Sequence, residues 1–146
     1  MLCDDPRAPL ERVLRIARAI ATAEGFFDPN PDAIPRLANN PGDLMLGNRF
    51  GVQVTHRGAI YIGTINGVTI YPKADWNADI EDHEDGCAAL YREIRAILCN
   101  QSYVYAPAMT IAQVGDKWTD TDPDDWAKTV SAKLGIAPDT KMCEIA

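Results

Sequence analysis

The chain has 146 residues, 47% of them hydrophobic and 8% aromatic, and its 14 basic against 21 acidic side chains give a formal net charge of -7. That size suits one self-sufficient domain spanning 1–146, and the apolar content excludes a disordered chain. The acid excess argues against nucleic-acid binding and against docking on an anionic membrane, and no apolar run approaches the roughly 20 residues of a spanning helix.

The N-terminus, Met1-Leu2-Cys3-Asp4-Asp5-Pro6, is acidic and lacks an apolar segment, so no signal peptide is read there. From about Pro9 to Glu24, Leu10, Val13, Leu14, Ala17, Ile20 and Ala21 recur at the spacing of an amphipathic helix. Glu11, Arg12, Arg15 and Arg18 take its opposite face, and Gly25 is placed to supply a left-handed C-cap. Residues 26–51 are rich in Pro, Gly, Asn and Asp, with a short helical turn expected from Ile34 to Ala38. Strands are expected at Val52-Gln53-Val54-Thr55, at Ile60 to Ile65 and at Val68 to Tyr71. Asn66-Gly67 between the last two is a strong hairpin signal, since both residues tolerate positive φ. A small antiparallel sheet of two or three strands follows from this.

The C-terminal half reads as helical. Cys87, Leu90, Tyr91, Ile94, Ile97 and Leu98 form a second stripe, preceded by the acids from Glu81 to Asp85. Thr110-Ile111-Ala112-Gln113 is a capping-box start, and Asp122-Pro123 opens a further helix that Gly135 ends. Cys3, Cys87, Cys99 and Cys143 form no CxxC pair, and Cys87 and Cys99 lie roughly 18 Å apart on one predicted helix. Free thiols are the expectation, with a Cys3–Cys143 bridge as the alternative.

One residue breaks the first pattern. Extrapolated along the first helix, Glu24 falls within the apolar stripe at its C-terminal end. A carboxylate leaving water there is costly, and its charge opposes the helix dipole. Both effects favour the neutral acid, which is what a general acid must be. The competing reading is a frayed last turn, with Glu24 in solvent or paired with an arginine such as Arg36 or Arg49.

Other constellations are weaker. The acids at 79–85 lack EF-hand spacing, there is no HExxH arrangement, and only His56 and His83 are present, so no metal site is expected. No phosphate-binding glycine loop and no paired Ser or Cys nucleophile is found, and no cofactor is expected. Among the aromatics Phe26, Tyr61, Tyr71, Trp76, Tyr103, Tyr105 and Trp118, rings that could stack on pyranoses, Phe26 is favoured together with Tyr61 or Tyr105.

Glu24-Gly25-Phe26, then Leu37-Ala38-Asn39-Asn40-Pro41-Gly42-Asp43-Leu44, resembles the lysozyme-like, lytic-transglycosylase-like proteins of phages and prophages. Glu84-Asp85-Gly86-Cys87-Ala88-Ala89-Leu90 resembles that group's E-x-G-x-x-A-L helix start. Met109-Thr110-Ile111, Trp118-Thr119-Asp120-Thr121-Asp122 and Leu134-Gly135-Ile136 are similar to its C-terminal half. The resemblance spans about 10 to 145. It implies an α+β, lysozyme-like fold, mainly helical, with a small antiparallel β-sheet beside a cleft. It implies cleavage of the β-1,4 bond between amino sugars of peptidoglycan or a related glycan, with Glu24 as general acid. Asn39, Asn40, Pro41 and Gly42 match the loop facing that acid, and Asp43 falls where the group carries Asn or Asp. A working carboxylate at Asp43 would hold an attacking water and give hydrolysis. Without one, Glu24 would act first as acid and then as base toward the sugar's own 6-hydroxyl, leaving an anhydro end. Asp43 is equally readable as a turn residue or helix N-cap, and Asp28 and Asp32 are weaker second carboxylates beside prolines. A non-catalytic, glycan-binding or structural phage relative and a chitinase-like enzyme are the alternatives. Synthesis in the bacterial cytoplasm and delivery to the periplasm or wall by a virion, a holin or a secretion assembly are what the resemblance and the leaderless N-terminus imply. The acid excess would slow free approach to an anionic cell surface and so favours a carried protein.

Overall fold

The computed structural model describes residues 10–45, 47–49, 52–54 and 63–146, with backbone pairing alone for 47–49 and 52–54. In chain order the elements are α1 Leu10–Ala23, α2 Ile34–Leu37, β1 Gly47–Arg49, β2 Val52–Val54, β3 Gly63–Ile65, β4 Val68–Ile70, α3 Gly86–Leu98, α4 Ile111–Trp118 and α5 Pro123–Leu134. A 3-10 turn at Met142–Glu144 closes the chain. Helices dominate, and the strands make small antiparallel pairs, an α+β composition. Among the described residues no helix is long and apolar enough to cross a membrane. The chain divides into two compact units, Met1–Ala23 with Ile94–Ala146, and Glu24–Glu93.

The first unit is built on apolar helix faces. α1 buries Val13, Ile16, Ala17 and Ile20, and α5, against which it packs, buries Trp126, Ala127 and Val130. The buried face of α1 is rotated from the expected stripe: Ile16 is fully buried, whereas Leu10 is exposed. The packing partner selects the face that goes inside, and periodicity alone does not reveal the partner. α4 also packs on α5. A Cβ at Gly115 would sit 2.8 Å from Trp126 Cε3, so this glycine lets the two helices approach. The caps follow the sequence. Thr110 and Gln113 form the reciprocal capping box of α4. Asp122 accepts from the Asp125 N–H at 3.1 Å, and Gly135 closes α5 at φ 70°. On the polar side of α1, Arg12 donates to the carbonyls of Met142, Cys143 and Ile145, and Arg15 to that of Ala146. These arginines therefore tie down the C-terminal turn.

The second unit is built on short strands and loops over the first two turns of α3. β3 and β4 pair with Ile65 opposite Val68, turning through Asn66 (φ 50°) and Gly67 (φ 82°), a type I′ hairpin. Among the described residues β2 pairs with β1, and an antiparallel bridge between Met45 and Val68 links the lead-in of β1 to β4. Beyond β4, Tyr71 donates its N–H to the Ala38 carbonyl at 2.9 Å and is fully buried. Gly86 is required where it stands, because a Cβ there would fall 1.7 Å from the Asn39 carbonyl oxygen. That close approach gives a physical reason for glycine in the E-x-G-x-x-A-L stretch.

Cys87 and Cys143 are not disulfide-bonded, whereas Cys99 is. This corrects the expectation of four free thiols, and the free Cys143 removes the Cys3–Cys143 alternative. Spacing along the chain does not say which cysteines the fold brings together.

Candidate functional site

Glu24 immediately follows α1 and is half-buried. The helix stops at Ala23, one residue short of the expected end, because Gly25 enters the left-handed region at φ 79°. Glu24 thus opens a turn, and the Asp28 N–H donating to the Gly25 carbonyl at 3.0 Å closes the turn around Phe26 and Phe27. Arg36 donates to the Asp28 carbonyl at 2.7 Å and fixes the far side.

Phe26 stands in an aromatic cluster. Its ring meets Phe27 edge-on at 5.4 Å and Trp76 edge-on at 5.9 Å. Phe27 stacks on Trp76 at 5.6 Å and 23°, and Trp76 lies 6.3 Å from the ring of Tyr91. The base of the cluster is rigid: buried Tyr91 donates its hydroxyl to the Trp76 carbonyl at 2.7 Å. By residue type and position neither Phe27 nor Trp76 is distinguished from the other aromatics of the sequence. The doublet Phe26-Phe27 beside an acid was the only available signal.

The loop at 39–44 has a different role from the expected one. Asn40 is fully buried. Its amide donates to the carbonyls of Leu44 at 2.7 Å and Thr69 at 3.1 Å, and its Oδ1 accepts the Leu44 N–H at 3.0 Å. Asn39 (φ 49°) donates its amide to the Tyr71 carbonyl at 3.1 Å. Both were expected to bind substrate. Asn40 clamps the loop to β4, its amide committed to backbone groups. Asn39 spends its own amide donor on Tyr71 in the same way.

Asp43 is held apart from this clamp. It sits in the left-handed region at φ 51°, and its N–H donates to the Asn40 carbonyl at 3.0 Å. It is therefore a turn residue and not a helix N-cap. The carboxyl is half-buried, its Oδ1 is buried without a hydrogen-bond partner among the described residues, and burial pushes its pKa up. A carboxyl so placed holds its proton to higher pH than an exposed one. Tyr61 lies outside the described residues. Tyr105 belongs to the first unit, where it stacks on Trp118 at 5.5 Å. Asp28 and Asp32 are exposed, and Asp28 is engaged in a turn with Asn30.

The acidic run at 79–85 resolves into local structure. Asp85 is fully buried and caps α3, its Oδ1 accepting the N–H groups of Cys87 at 2.8 Å and Ala88 at 3.0 Å. Its Oδ2 accepts the Asp75 N–H at 2.8 Å, which fixes the strap carrying Trp76. Burial pushes the Asp85 carboxyl up, against these three donors. Buried Arg92 donates to the carbonyls of Ile80 at 2.8 Å and Asp82 at 3.0 Å. Asp79 and Asp82 close turns on the Glu81 and Glu84 N–H groups. No group of three or more His, Cys, Asp or Glu side chains among the described residues could hold a metal ion.

Comparison with protein-family models, with curated proteins and with solved structures gives no match to the chain.

Proposed function

We propose that the chain is a lysozyme-like, peptidoglycan-cleaving glycosidase acting on the β-1,4 bond between amino sugars. Glu24 is its general acid and Asp43 the supporting carboxyl. The observation that supports this reading is Asp43: a carboxyl in a left-handed turn, with one oxygen buried and without a partner among the described residues, in the same compact unit as Glu24. Unsatisfied buried acceptors cost about 1–3 kcal/mol, and strained, costly groups of this kind cluster at functional sites. The half-buried acid at the end of α1 and the aromatic cluster beside it add the parts a glycosidase needs. Glu24 protonates the glycosidic oxygen. Asp43, where ionised, orients water onto the sugar; where it does not, the sugar's own 6-hydroxyl closes the ring. Delivery to the wall by a virion or secretion assembly belongs to the same proposal.

A second reading, a phage or prophage protein that binds glycan without turnover, gains support from Asn40, whose amide serves the fold. The test is mass analysis of material released from purified peptidoglycan. New reducing ends support hydrolysis, anhydro ends support transglycosylation, and glycan binding without release supports the second reading.

A further inference from the structure

We propose that Asn40 is a positioning residue: its backbone carbonyl and its side chain together fix both peptide groups that flank Asp43, and so set the direction of the Asp43 carboxyl. The catalytic meaning of that direction rests on the reading of Asp43 given above. A residue's Cβ direction follows from φ and ψ, the rotations of the two rigid peptide planes that meet at its Cα. The plane before Asp43 carries the Asp43 N–H, which donates to the Asn40 carbonyl at 3.0 Å. The plane after it carries the Leu44 N–H, which donates to Asn40 Oδ1 at 3.0 Å. One residue thus holds both planes, and a rotation at Asp43 breaks one bond or the other. The Asp43 carboxyl takes no part in these bonds, yet its direction depends on them. Asn40 is itself immobilised. It is fully buried, its N–H donates to the Pro35 carbonyl at 2.8 Å, and its amide donates to the Leu44 carbonyl at 2.7 Å and the Thr69 carbonyl at 3.1 Å. Pro41, with its restricted φ, takes the second position of the turn from Asn40 to Asp43. Gly42 lies against α3, where a Cβ would come within 2.7 Å of Leu90 Cδ1. The outcome is the left-handed conformation of Asp43, φ 51°, which an L-residue adopts at a cost. Glycine would serve a chain reversal there without that cost; aspartate brings a carboxyl that the clamp then aims. The aim leaves the carboxyl half-buried, and burial, with no charged neighbour contributing among the described residues, pushes its pKa up.

The experiment follows Asp43 by NMR in the full-length chain. In the native protein the side-chain amide protons of Asn40 and the backbone amide protons of Asp43 and Leu44 are expected to exchange slowly with solvent. Exchange of the Asn40 amide at the rate of a free side chain overturns the proposal, and this measurement decides if Asn40→Ala does not fold. In Asn40→Ala the backbone shifts of Asp43 are expected to leave the left-handed range, and its carboxyl titration to fall toward the ordinary carboxylate range. Gly115→Ala, which disturbs α4 against α5 in the other unit, controls for lost stability and is expected to leave both readouts unchanged. Unchanged Asp43 shifts and titration in Asn40→Ala overturn the proposal, as does an equal displacement of both by Gly115→Ala. Muropeptide release by Asn40→Ala is expected to fall roughly a hundredfold, the scale of a misplaced reacting group, with the acidic limb of its pH profile moved to lower pH. The two readings fail separately. If the native chain releases no muropeptides but the Asp43 shifts and titration depend on Asn40, the positioning stands and cleavage falls. If the native chain cleaves and Asn40→Ala cleaves at the same rate with the same pH profile, cleavage stands and the positioning falls.

Discussion

The two compact units hold themselves together by different chemistry. The unit of Met1–Ala23 and Ile94–Ala146 rests on apolar helix faces, with Val13, Ile16 and Ile20 of α1 and Trp126 and Val130 of α5 buried. Its helix ends are satisfied by standard caps at Thr110, Asp122 and Gly135. The unit of Glu24–Glu93 instead uses buried polar side chains as rivets. Asn40 binds three backbone groups, Asp85 three and Arg92 two. It also carries the Asp43 Oδ1, Thr69 hydroxyl and Tyr71 hydroxyl, which are buried without hydrogen-bond partners among the described residues, and burial pushes the Tyr71 pKa up to about 12. Such groups are expensive, and among the described residues they stand in both units: Ser131 of α5 also buries a hydroxyl without a hydrogen-bond partner. A scaffold of loops held by polar rivets can place a carboxyl in an unfavourable environment.

Substitutions in the two units should therefore differ in kind. The largest effect is expected from Gly86→Ala, where the new methyl meets the Asn39 carbonyl at 1.7 Å and neither backbone segment can yield. A loss above about 4 kcal/mol, or failure to fold, is expected in urea denaturation. Asn40→Ala strands the Leu44 N–H and the Thr69 carbonyl and leaves the Leu44 carbonyl with the Thr69 N–H alone. A cost of about 2–4 kcal/mol follows in the same assay. Its counterpart in the first unit is Gly115→Ala, which drives a methyl against the Trp126 ring. There about 1–3 kcal/mol is expected, since a ring can shift where backbone cannot. A cost for Gly115→Ala above that for Asn40→Ala would break the contrast.

The smallest effect is a pH dependence. Burial raises the Asp43 pKa in the folded chain. Its contribution to stability is then fully present below the unfolded value, near pH 4, and is lost as pH rises through the folded value. Asp43→Asn cannot ionise. Its thermal midpoint should exceed that of the parent at pH 7, and the two should converge below about pH 4. A midpoint lower than the parent's at pH 7 would mean that the charged form is the stabilised one.

The parts of this architecture governed by local rules were legible in the sequence. The capping box at Thr110, the Asp122-Pro123 start, the Gly135 stop and the Asn66-Gly67 hairpin all form as their residue types require. What escaped depends on distant partners. Asn40 looks like any turn asparagine until β4 is laid beside it, and Asp85 is one acid in a run until Asp75 and the start of α3 converge on it. Ile16 lies off the stripe that periodicity picks out, because the buried face of α1 is set by α5. For the site, Glu24 and Asp43 stood out by type and position, whereas Phe27 and Trp76 became a pair only through stacking across fifty residues of chain.

The most direct test compares initial rates of muropeptide release from purified peptidoglycan by the native chain and by Glu24→Gln, with folding matched by circular dichroism. The expected result is release by the native chain and a rate lower by about 10²–10⁴-fold in the variant, the usual loss for a missing general acid. Equal rates, or no release by the native chain, would contradict the assignment of Glu24.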